Sequence, residues 1–142
     1  MALIADIADA VVAELNAGSF SVPLTAERLY RPDFELPEMK DLHVSVVPGG
    51  VTTVTLGRGR AQHDYRIDVA VQKKFKKGDA VELDPLMALV EEIADHFRFK
   101  RLDGHPAAVW VKTENAPVYA QEHMAEMRQF TSVLTFTFRV AK

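Results

Sequence analysis

The side chains best suited to ligate a metal or to move a proton near neutral pH are the five histidines, His43, His63, His96, His105 and His123. No two of them show His-x₃-His or His-Glu-x-x-His spacing, and a catalytic zinc site needs three clustered ligands. His63-Asp64 and Glu122-His123 are adjacent pairs, but neighbours on a strand point to opposite faces. Ser19, Ser21, Ser45 and Ser132 sit in no Gly-x-Ser-x-Gly elbow. Gly57-Arg58-Gly59 lacks both the following glycine and the Lys-Ser/Thr of a phosphate-cradling loop. A carboxylate pair for glycosidic chemistry meets only in three dimensions, and no pattern marks one. The chain has no cysteine, which removes a thiol nucleophile, a thiolate zinc site and a disulfide scaffold. No metal and no cofactor is therefore expected. One reading of this class stays open: a small enzyme or ligand-binding domain using His63, Asp64 or His123.

The charged side chains are more unevenly placed. Arg58, Arg60, Arg66, Lys73, Lys74, Lys76 and Lys77 stand between Gly57 and Lys77, against only Asp64 and Asp68. The rest of the chain keeps 10 basic and 18 acidic residues. Such asymmetry suits a head-to-tail contact in which the basic edge of one copy meets an acidic edge of the next. The plainer reading is a solvated edge whose lysines discourage unwanted strand pairing. The candidate interface residues are Arg58, Arg60, Lys73, Lys74, Lys76 and Lys77, with the apolar Val51 and Val54 beside them. A nucleic-acid surface would interleave aromatic residues with the charges, and only Phe75 does so. The net charge of −3 points the same way.

The elements that must position these residues follow from periodicity. Residues 2–17 predict a helix, with Leu3, Ile4, Ile7, Val11, Val12 and Leu15 on one stripe and Asp6, Asp9 and Glu14 off it. That helix packs on a sheet or on a neighbouring subunit. Residues 24–31 predict a short strand ending at Pro32, and Pro32–Lys40 a loop. Leu42–Val47 predicts a strand ended by Pro48-Gly49-Gly50. Residues 49–62 read as a hairpin arm or a long mobile loop, β-prone in Val51–Leu56 and glycine-rich after it. Residues 63–75 alternate cleanly, Tyr65, Ile67, Val69 and Val71 against Arg66, Asp68 and Gln72, so one face is buried and the other wet or set against a partner. Residues 84–98 predict a core helix with Asp84 as N-cap and Pro85 at the first helical position. Ala107–Lys112 and 128–140 predict strands, the latter with Phe130, Leu134, Phe136, Phe138 and Val140 on even positions. A loop or helical turn near Ala120–Met127 joins them.

A chain of 142 residues with 48% hydrophobic and 26% charged content suits one globular domain spanning 1–142. Area scaling for its mass gives a folded surface of roughly 7,300 Å², with about two-thirds of the unfolded surface buried. No apolar run approaches the ~18 residues of a membrane span, and the first residues lack the basic segment of a secretory leader. The expected fold is α+β: a two-layer sandwich with a mainly antiparallel sheet of about four to five strands, two main helices on it, and a protruding arm.

Four stretches carry a resemblance. They are Ile4-Ala5-Asp6-Ile7-Ala8-Asp9-Ala10-Val11, Leu42-His43-Val44-Ser45-Val46-Val47-Pro48, His63-Asp64-Tyr65-Arg66-Ile67-Asp68-Val69 and Arg128-Gln129-Phe130-Thr131-Ser132-Val133-Leu134-Thr135. Their order and the chain length resemble the tail-terminator proteins of long-tailed bacteriophages and prophages, across nearly the whole chain. Small neck or head-completion proteins are similar in size and composition. The resemblance implies an α+β subunit of a homohexameric ring that caps the tail tube, stops its polymerisation and joins the tail to the head. It implies the major tail tube protein and a head–tail connector as partners, and no membrane. It implies no sequence-specific nucleic-acid binding, although DNA can pass through such a ring. The place is the tail–neck junction of the virion, after assembly in the host cytoplasm. No active site and no enzyme activity are implied.

Overall fold

The computed structural model describes residues 2–30 and 41–142. The predicted loop at 32–40 lies outside them. Among the described residues nine elements follow in order: α1 (Leu3–Ala17), β1 (Ala26–Arg28), β2 (His43–Gly57), β3 (Arg60–Lys74), α2 (Ala80–Phe97), β4 (Arg101–Leu102), β5 (His105–Glu114), α3 (Gln121–Met127) and β6 (Gln129–Ala141). The six strands form one sheet in the order β1-β2-β3-β6-β5-β4. The α+β class is as expected, but the sheet has six strands and curls into a half-barrel instead of lying flat in a two-layer sandwich. All neighbours are antiparallel except β1 and β2, which pair in parallel. The sheet is thus mainly antiparallel, as expected.

The core is built from the predicted stripes. Ile7, Val11 and Leu15 of α1 and Leu86, Leu89, Val90, Ile93 and Phe97 of α2 join Ile67, Val69 and Val71 of β3 and the even positions of β6. Phe97 lies 4.8 Å from Phe136 between ring centroids and 6.4 Å from Phe138. Helix α1 therefore packs on its own sheet, at β1, β2 and β3 among others.

Helix α2 begins earlier than Asp84-Pro85 suggests. Asp79 is its N-cap and accepts from the Glu82 N–H, while the Glu82 carboxylate accepts from the N–H groups of Lys76, Lys77 and Gly78. This Asp-x-x-Glu arrangement caps a first-turn N–H and ties the backbone of the preceding turn to Glu82, so the helix starts at Ala80 and Pro85 lies inside it. The backbone donors hold the Glu82 carboxyl below the ordinary range.

Two polar residues depart from the pattern. Gln72 was expected on a face that is wet or set against a partner, but within the subunit it is fully buried, and its amide has no hydrogen-bond partner among the described residues. Glu14, expected off the apolar stripe, is 7% exposed. It accepts from the Asp103 N–H at 3.2 Å and lies 3.3 Å from both His96 Nε2 and Lys100 Nζ. Burial works to raise its pKa, but the Asp103 N–H, His96 and Lys100 outweigh it and hold the carboxyl below its ordinary value. A carboxyl depressed in the fold contributes stability that is present above its unfolded pKa and is lost as pH falls through the folded one. Glu14→Gln should therefore cost about 1–3 kcal/mol at pH 7, the scale of hydrogen bonds to a charged group. The variant's deficit should shrink between pH 5 and pH 3 in thermal melts. An equal deficit at both pH values would contradict the assignment.

Candidate assembly interface

The arm is a continuation of β2 and β3, turning at Arg58-Gly59. Gly59 has φ +70°, a left-handed value that suits glycine at the second turn position. Every residue from Val51 to Arg60 is exposed, with Val51, Val54 and Leu56 at 46%, 48% and 51%.

The arm is not an isolated hairpin. Strand β6 runs beside β3 up to Ala61, which exchanges 2.9 Å backbone bonds with Lys142 in both directions. The bare side is that of β2. Its other neighbour, β1, pairs only with Val44–Val46, and Leu29 N–H adds one bond to Val46. Beyond that point no strand among the described residues pairs with the outer edge of β2. The edge of β1 is handled differently. The Asn16 amide donates to the Ala26 carbonyl at 3.1 Å and accepts from the Ala26 N–H at 2.8 Å, and Arg28 is held by Asp9 at 2.7 Å.

The structure separates the candidate interface residues into two groups. Val51, Val54, Arg58 and Arg60 lie on the arm, whereas Lys73, Lys74, Lys76 and Lys77 lie at the far end of β3 and in the turn before α2. Arg60 and Lys73 are thirteen residues apart on one strand, about 43 Å at the rise of an extended chain. The basic stretch is therefore not one edge, and β3 sits inside the sheet between β2 and β6.

The residues of the catalytic reading are not brought together either. His63 Nδ1 lies 2.9 Å from Thr53 Oγ1 and its ring stacks near Tyr65. Asp64 accepts both Arg139 Nε at 2.8 Å and Arg139 Nη2 at 3.1 Å. That guanidinium holds the Asp64 carboxyl below its ordinary value. His123 Nδ1 lies 2.8 Å from Thr131 Oγ1, on a cleft shared with Tyr119, Gln121 and Glu122. His63 faces Val140 in the register, and nine residues of β6, about 30 Å, separate Val140 from Thr131. Among the described residues no three His, Asp or Glu side chains cluster as a metal site would need.

The other side of the sheet holds features that periodicity did not single out. Strand β4 covers β5 only at His105 and Val109, leaving residues 110–114 without a strand on their outer side among the described residues. Phe99 is 84% exposed, takes φ +61°, and its ring meets Trp110 edge-on at 5.2 Å. The lone tryptophan within a strand was the available signal for this edge.

No protein-family model matches the chain, and no curated protein sequence matches it. Among solved structures, it matches the PVC sheath/tube terminator of an extracellular contractile injection system in its extended state, at 15% identity and a TM-score of 0.48. The match takes in 100% of this chain and 57% of that protein, so this chain spans little more than half of its length.

Proposed function

We propose that this chain is the subunit of a closed ring that caps the growing tail tube of a long-tailed phage or prophage, stops its polymerisation and presents a surface to the head's connector. The observation that carries the reading is the arm. Ten consecutive exposed residues, β-prone from Val51 to Leu56, have no core beneath them and within the subunit do no more than pair with β3 and make local hydrogen bonds. A soluble chain that keeps such a surface keeps it for a partner. The order of the four resembling stretches gives that partner its identity: other copies of the chain and the tube on which they sit. Arg58 and Arg60 at the arm tip pair with carboxylates of the neighbouring subunit or of the tube, where a guanidinium can bind bidentately. The histidines and Asp64 serve local hydrogen bonds and strand pairing, and the protein acts by binding.

Size-exclusion chromatography with light scattering tests the oligomeric part of the reading. Six copies of a 15.8 kDa chain give a particle of about 95 kDa. A chain that remains a monomer, alone and in the presence of tail tubes, contradicts the ring.

A further inference from the structure

Among the described residues, two strand edges without a partner strand lie on opposite sides of this sheet at the same height. Pairing in register carries Glu114 across Thr135 and Asp68 to Val47, and Val109 across Arg139 and Asp64 to Thr52. The open stretch of β5, residues 110–114, therefore lies level with residues 47–52, where the open edge of β2 begins.

The two edges also suit each other chemically. From Gly49 to Leu56, β2 carries no lysine, no proline and no charge, the devices by which soluble proteins blunt an edge, and Pro48 interrupts the edge only at the level of Thr113. On β5, Lys112 and Glu114 are paired with each other at 3.0 Å and each side chain is 59% exposed. An exposed pair of that kind contributes little, so it does not hold this edge of β5 closed. Half-buried Trp110 and exposed Val109 and Phe99 give the β5 side an apolar flank, and Val51 and Val54 give the arm side another.

We propose that the open edge of β2 in one copy pairs with the 110–114 edge of β5 in the next, joining the sheets of successive subunits. Strands β2 and β5 run in opposite directions within the sheet, so the new pair is antiparallel when copies are related by rotation about an axis along the strands. Pure rotation brings equal heights together, and the contact is heterologous, which closes into a ring. This assignment rests on the ring reading above and adds which surfaces meet.

The absence of cysteine makes cross-linking a clean test. The double variant Val51→Cys with Lys112→Cys, treated with a short bismaleimide, should give a covalent ladder ending at the closed ring, and each single variant should give none. Val51→Cys alone yielding a linked dimer overturns the proposal, because the arms then meet each other. An oligomer of full mass without a ladder from the double variant also overturns it, while leaving the ring itself intact. A monomer with no linked species overturns both the edge pairing and the ring.

Discussion

A chain carrying Val51→Lys, Val54→Lys, Arg58→Glu and Arg60→Glu should fold as the parent does and fail to assemble. All four positions are exposed and none contributes to the core. Surface substitutions of this kind usually stay within about 0.5 kcal/mol each, about 2 kcal/mol for the four, which sets the expected change in melting temperature at no more than about 8 °C. The effect on assembly is of another order. Lysines on a bare edge oppose strand addition, and reversing two arginines at the tip turns attraction for carboxylates into repulsion. Light scattering should report monomer at concentrations where the parent is a ring. Rings of normal mass from the variant would reduce the arm to an ornament of the fold.

The largest effect on the subunit itself should come from Phe97→Ala. This ring is fully buried and contacts Phe136 and Phe138 across the helix–sheet boundary. Truncating a buried phenylalanine costs about 3–5 kcal/mol, and Ile93→Ala about 2–5 kcal/mol. For a chain of this size the former corresponds to a fall of roughly 10–20 °C in melting temperature. Against a total stability of about 5–15 kcal/mol, either change consumes a large share. Melting temperatures equal to the parent's in both variants would contradict the placement of α2 on β6.

The long amphipathic elements were legible because one face of each is buried. Residues 3–17 show the helical period, and 65–71 and 130–140 show the period of two. Local reading failed where capping or tertiary contacts decide. Asp79 and Glu82 together out-compete Asp84-Pro85 as a helix start, because Glu82 gathers three further backbone donors. Glu14 looks like a surface carboxylate until Asp103, His96 and Lys100 arrive from distant segments. Gln72 sits on the polar side of an alternating strand, yet that side is buried at Ala70, Gln72 and, beside Gln72 on β6, Thr131. The arm residues could be read as exposed from their glycines and threonines. That the basic stretch divides into two distant groups could not, since sequence proximity along an extended strand spans tens of ångströms. The open edge of β5 left only the lone Trp110 as a sequence signal, because the edge itself is defined by where β4 stops.

The central claim is that the chain ends tube growth, and the most direct measurement is the length of tubes that form with and without it. Tubes assembled in cells that lack this chain, imaged by electron microscopy, should be overlong, variable in length and free of heads. Supplying the parent chain should restore one length, and supplying the four-substitution arm variant should not. Tubes of uniform, normal length in the absence of the chain would contradict the account.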